Sequence, residues 1–182
     1  MKNLVRPVYA IAFIALFAVN TQAQSLEPVK AQMIKDWERA KEYTREYLNT
    51  VPGDKYSFRP TDTIRTFAQQ MLHLASGNIF LMSQVSTDTP PAGINFGLEQ
   101  RSTAQNKDSV MHYVMASYDY ALNIVKNMST ANWFDAKKMW NKYNETKFSL
   151  MGKAFEHQTH HRGQTTIYIR MLGLRPPAER LY

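Results

Sequence analysis

From about Asn144 to Leu172 the chain carries one unbroken helical pattern, and histidines stand in it where aliphatic side chains belong. Leu150, Ala154, His157, His161, Gln164, Tyr168 and Met171 follow one another at alternating spacings of four and three. Such spacing draws a single stripe down a helix, the face a bundle normally fills with Leu or Ile. Burying imidazoles and an amide there is costly unless they find partners. His157 and His161, one turn apart, can aim both rings at one point, which is how helices hold divalent metals. The simpler alternative is a hydrogen-bonded core histidine. A metal needs a third ligand from elsewhere, and the search is short, because the five histidines are His73, His112, His157, His160 and His161.

The N-terminus reads as a targeting segment rather than part of the fold. Lys2 and Arg6 precede an apolar run from Val8 to Val19, and Thr21-Gln22-Ala23 offers small residues at the −3 and −1 positions of a signal-peptidase site. Residues 1–23 are therefore expected to be a cleaved signal peptide, giving an exported protein, periplasmic or secreted. The apolar run is short for a membrane span, and no Cys follows it for a lipid anchor. Residues 24–182 suit one ordinary domain. With no Cys in the chain, disulfides and a thiol mechanism are excluded. Without Lys2 and Arg6 the 22 basic residues become 20 against 15 acidic, a net +5, with the basic residues spread singly apart from Lys137-Lys138. No dense basic stripe accompanies a nucleic-acid motif, so no nucleic-acid partner is expected. Nor is stable membrane insertion expected after cleavage.

Four helices are expected. Leu26 to Leu48 has its stripe at Met33, Trp37, Ala40, Thr44 and Tyr47. Val51-Pro52-Gly53-Asp54 breaks it, and Arg59-Pro60 keeps the next stretch extended. A second helix, capped at Thr61 or Thr63 and running to about Val85, is apolar over most of its circumference. On its helical wheel His73 falls with Thr66, Gly77 and Phe80, off the centre of the apolar arc, so periodicity alone does not aim it at His157 and His161. Residues 87–106, with Pro90, Pro91, Gly93 and Gly97, form a loop long for a compact domain. It makes sense as a crossover along a helix of about 33 Å, which would leave the second and third helices parallel. The third helix spans about Lys107 to Met128 with Val110, Val114, Ser117, Ala121, Ile124 and Met128 inward and His112 on the surface. Residues 129–143, with Trp133, Phe134 and Trp140, are expected to pack a short helix or turn over one bundle end. Gly173 and Pro176-Pro177 end the fourth helix.

Four segments in order carry a resemblance. Val51-Pro52-Gly53-Asp54-Lys55-Tyr56-Ser57-Phe58-Arg59-Pro60-Thr61, Arg65 to Ala75 around His73, Lys107 to Tyr120, and Glu156-His157-Gln158-Thr159-His160-His161-Arg162-Gly163-Gln164 with the exit Tyr168 to Pro177 resemble the DinB/YfiT-like metalloenzyme family. The resemblance covers nearly all of residues 24–182. It implies an all-α four-helix bundle, up-down-down-up with a long crossover between helices two and three. It also implies a metal held by His73, His157 and His161, with His160 on the helix flank. Glu156 and Gln164 become candidates to orient the ligating rings, Gly163 a place for close approach, and Arg59 and Arg170 candidates to face an anionic substrate or solvent.

Three neutral imidazoles leave a divalent ion its full charge and open positions, enough to acidify a water or polarise a carbonyl. Zinc, nickel, iron and manganese all suit such a ligand set. The expected function is a metal-dependent hydrolase or transferase acting on a small molecule. A non-catalytic metal- or ligand-binding bundle of the cell envelope, dimeric or not, is the alternative. No nucleophilic Ser or Cys arrangement accompanies the histidines.

Overall fold

The computed structural model describes residues 25–182, so the expected signal peptide lies outside the described residues. Four helices dominate: α1 (Glu27–Thr50), α2 (Phe67–Ser83), α3 (Lys107–Asn127) and α4 (Lys147–Met171). Between α3 and α4 sits a two-stranded antiparallel sheet, β1 (Ala136–Met139) and β2 (Tyr143–Thr146). Among the described residues no helix is long and apolar enough to cross a membrane.

Side-chain contacts give the helix directions. Trp37 and Tyr47 of α1 meet Phe155 and Thr166 of α4, so these two run the same way. Lys41 and Glu38 of α1 pair with Asp119 and Lys126 of α3, which therefore runs opposite. Phe67 and His73 of α2 meet Tyr168 and His161 of α4, again in opposite order. Helices α2 and α3 are thus parallel, and residues 84–106 travel the length of the bundle between them. That connection is not loose: Ile94, Leu98 and Ala104 are buried on the core, and two 3-10 turns at Leu98–Gln100 and Ser102–Ala104 stiffen it.

Helix α2 starts at Phe67, later than Thr61 or Thr63, because a capping box closes at Thr66. The Thr66 hydroxyl accepts from the Gln69 amide at 3.2 Å, and the Gln69 carboxamide accepts from the Thr66 amide at 3.0 Å. The next free amides, Phe67 and Ala68, donate to the Phe58 and Tyr56 carbonyls of the preceding loop. Replacing Thr66 by Ala is expected to cost about 1 kcal/mol, a fall of about 3 °C in melting temperature for a domain of this size. Calorimetry checks it.

Residues 129–143 also differ from expectation. A 3-10 turn at Thr130–Asn132 is followed by the β1–β2 hairpin, whose short strands are polar and show no apolar alternation to announce them. Trp133 is buried and stacks on Phe148, whereas Phe134 is exposed and the hairpin turn presents Trp140 outward. Trp140 and Asn141 hold that turn with φ of 48° and 55°.

The buried face of α4 is broader than one stripe. Towards α2 it presents His157 and His161; towards α1 it presents Gln158, Arg162 and Thr165, while Gln164 and Met171 are exposed. A helix packed on two neighbours buries two adjacent lines. The α1 side carries a buried polar network. The Tyr118 hydroxyl donates to Gln158 Oε1 at 2.7 Å, Arg162 Nη1 donates to the same oxygen at 2.8 Å, and Thr44 joins Tyr118 at 2.7 Å. The Arg162 guanidinium lies 4.8 Å from the centre of the Tyr43 ring.

Candidate metal centre

Helix α2 brings in His73 and helix α4 brings in His157 and His161, one turn apart. One ring nitrogen from each can be chosen so that all three lie within 4.8 Å of one another. The ring centres stand 5.3 Å apart for His73 and His157, 4.6 Å for His73 and His161, and 4.3 Å for His157 and His161. The third histidine that periodicity could not choose is therefore brought to the other two by the antiparallel packing of α2 on α4. His112 is exposed on α3. His160 is exposed on the flank of α4, with Nε2 3.0 Å from the Gln164 carboxamide.

Each ring is positioned differently. His73 Nδ1 lies 3.0 Å from Glu99 Oε1, so the ring donates there and its Nε2 lone pair is free. His161 Nδ1 lies 2.9 Å from the Gln70 carboxamide nitrogen, and that group also bonds Gln164 Oε1. A carboxamide has the same shape either way round. With its NH2 towards His161, the ring proton sits on Nε2. Turned over together with the Gln164 amide that it bonds, the Gln70 oxygen accepts from both His161 Nδ1 and the Gln164 NH2 and frees the His161 Nε2 lone pair. Cation binding through that nitrogen requires the second orientation, so the Gln70 amide and the site's occupancy are coupled.

His157 supplies the test of fit. Its Nδ1 is buried and, among the described residues, has no hydrogen-bond partner. An unpaired buried nitrogen costs about 1–3 kcal/mol, and a cation held through that nitrogen would remove the cost. The ring is pressed against Gly77 of α2, where a Cβ would fall inside the imidazole. Gly77 is thus the glycine of close approach. Gly163 is not: a Cβ there meets nothing within 4 Å.

Of the residues expected to orient the rings, Gln164 takes part through Gln70, and Glu156 is exposed. Glu99, which does hold a ring, was not singled out, because it lies in the crossover with no local pattern pointing at the site. Gln70 was missed for another reason: a helix that apolar conceals which polar residue turns inward. Arg59 and Arg170 are exposed, while Arg65 stands 3.8 Å from Glu99. A larger cleft of about 700 Å³, lined by Arg65, Gln70, Gln164 and Tyr168, opens on this flank of the cluster.

His157 and His161 are held neutral. Burial, and then the charges of His73, His160 and Arg65, push His157 down to about 4. Burial, followed by His157, His73, His160 and Arg65, pushes His161 down to about 3. Neutral rings are the form that binds a metal. The unfolded chain takes up these protons near the ordinary value of 6.5, before the fold does. Stability from the neutral rings is therefore complete above about pH 6.5 and lost as the pH falls through about 4 and then 3. Metal-free protein is expected to lose melting temperature steadily across that window, and a variant with His157 and His161 both changed to Ala to lose less. Melts in a pH series read the difference.

Comparison with known proteins gives a consistent placement. No curated protein matches the chain. A DinB-like protein from Bacillus cereus superposes with a TM-score of 0.70 at 13% identity, over 82% of this chain and 97% of that one. A DinB-like protein from Bacillus subtilis gives 0.62 at 17% identity, over 83% of this chain and 96% of that one. At such identities these structures speak for the fold. The family model of the DinB family matches residues 20–181, nearly the whole chain, and the chain belongs to the DinB family.

Proposed function

We propose that His73, His157 and His161 hold a divalent cation and that the protein is a metal-dependent hydrolase or transferase acting on a small molecule. The observation that carries this is the convergence of three imidazoles from two helices, one with a buried nitrogen lacking a partner. Zinc, nickel, iron or manganese would supply Lewis acidity there. The chain's own residues do the rest. Glu99 keeps the His73 proton on Nδ1, Gln70 can keep the His161 proton on Nδ1, and Gly77 lets α2 approach the His157 ring closely. With a cleft on either flank, the cluster can be reached by a molecule of modest size.

A panel of ester, amide and phosphoester substrates, assayed with and without chelator, tests the reaction. Chelator-sensitive turnover that disappears in the His157→Ala, His161→Ala double variant supports it. Stoichiometric metal with no such turnover moves the reading to a metal-binding bundle without catalysis. In this reading residues 1–23 direct the protein out of the cytoplasm. N-terminal sequencing of envelope-fraction protein should then begin at Gln24, and an intact Met1 would overturn the export reading.

A further inference from the structure

Arg162 takes a full positive charge into the interior, at 6% exposed, and every partner it meets there among the described residues is neutral. Its Nη1 donates to Gln158 Oε1 at 2.8 Å, Thr44 Oγ1 at 3.3 Å and the Ala40 carbonyl at 3.5 Å, and the Tyr43 ring covers one face of the guanidinium. A buried charge is costly unless an opposite charge joins it. The guanidinium is planar, so the edge formed by Nε and Nη2 points directly away from the partners of Nη1. Neither of those two nitrogens has a hydrogen-bond partner among the described residues, and neither is sealed from solvent.

Arg162 lines a cavity of about 290 Å³ between α1, α4 and the C-terminal tail, with Tyr43, Tyr47 and Phe155 in its walls. A cavity of about 150 Å³ is known to hold benzene, so this one has room for a ring and a small polar group. Arg39 and Arg180 also line it but are already paired at 3.0 Å, with Asp36 and Glu46, which leaves Arg162 as the uncompensated charge. Glu179 is the carboxylate in the lining, yet it is exposed on the tail and forms no ion pair among the described residues. Gly163 adds an independent observation. Apart from proline, glycine is the residue least suited to a helix interior, and here no neighbour comes close enough to require it, since a Cβ would meet nothing within 4 Å. It lines the same cavity beside Arg162, and its missing side chain keeps that space open.

We propose that this cavity binds a small carboxylate with a flat apolar body. The carboxylate takes two parallel N–H bonds from the Nε and Nη2 edge of Arg162, and the body lies over Gly163 against Tyr47 and Phe155. Two donors side by side match a planar acceptor with two oxygens. A phosphate would leave its further oxygens against aromatic walls and bring a second charge near Glu179. The site is on the α1 side of α4, whereas the histidines face α2, so it stands whether or not the metal reading does.

The test is calorimetry on chelated protein at fixed ionic strength, with phenylacetate, phenylacetamide, acetate and phosphate as probes. Phenylacetate is expected to bind saturably, about tenfold tighter than its neutral amide, for hydrogen bonds between two charged groups. It should also bind about tenfold tighter than acetate, for burial of the ring, and tighter than phosphate. Arg162→Lys keeps the charge without the fork and should weaken phenylacetate about tenfold. Because that residue is in the core, a second variant is read beside it. Gly163→Leu puts a good helix former at an open position, so its melting temperature should not fall, while its side chain fills the cavity and phenylacetate no longer binds. The His157→Ala, His161→Ala variant should bind phenylacetate as the wild type does. Amide or phosphate bound as tightly as phenylacetate overturns the proposal, as does unchanged affinity in Gly163→Leu. Loss of binding in the double histidine variant would place the carboxylate at the histidines instead, and overturns it too. Absence of saturable binding also overturns it, and leaves Glu179 of the tail as the carboxylate available to Arg162.

Discussion

Protein loaded with a divalent ion is expected to melt about 10 °C above its chelated form, and the His157→Ala, His161→Ala variant to show no such difference. The magnitude follows from linkage. A ligand bound only by the native state, at a thousandfold excess over its Kd, adds about 4 kcal/mol. In a domain of this size each kcal/mol moves the melting temperature by about 2–4 °C. Two of the three rings sit on α4 and one on α2, so a cation would tie together the two helices that line the site. Removing both α4 rings leaves His73 alone, which cannot hold the ion. Metal analysis beside the melts should find about one equivalent per chain in the wild type, the count a single three-ligand site predicts, and a trace in the variant. Equal loading of both proteins would end the metal reading outright.

Gly77→Ala should lower metal affinity by about 100-fold, the upper end of what loss of an orienting partner costs a site. The new methyl group cannot coexist with the His157 ring where it stands, and the ring, as the mobile end of a side chain, is what must swing. Swinging takes one ligand out of the cage. Two opposing effects act on stability without metal. Overpacking costs about 1–3 kcal/mol, while Ala in place of Gly inside a helix returns about 1 kcal/mol. With His157 present the first prevails and the variant is less stable. In a His157→Ala background the clash is gone, so the same substitution should stabilise by up to about 1 kcal/mol. That reversal of sign, read as a double-mutant cycle, is the measurement. A penalty that persists without the His157 ring would show that Gly77 serves something other than the close approach.

Much of this molecule can be read from periodicity. The stripe at Trp37, Ala40, Thr44 and Tyr47 is buried as expected, as are Val110, Val114, Ser117, Ala121 and Ile124 of α3. Gly173 does end the last helix, at a φ of 74° just past Met171. Thr66 and Gln69 were legible too, as a Thr-x-x-Gln capping box, and outweigh Thr61 and Thr63 as the start of α2. The charged pairs of α1 follow the same division between local and distant contacts. Glu42 pairs locally with Arg45, but Glu38 and Lys41 reach across to α3 rather than to each other.

The one-turn spacing of His157 and His161 was decided by local sequence, because two residues four apart on a helix face the same way wherever that helix is placed. His73 depends on the packing of α2 against α4, and the helical wheel of α2 contains no information about which neighbour it meets. Glu99 and Trp140 lie further from anything a pattern can reach. One arrives through the crossover connection to hold His73, the other on a hairpin turn to line the cleft beside His73 and His157, and each gets there only once the chain has folded back on itself. Pairing along a helix is local geometry, whereas contact between distant segments is settled by the burial of the whole core.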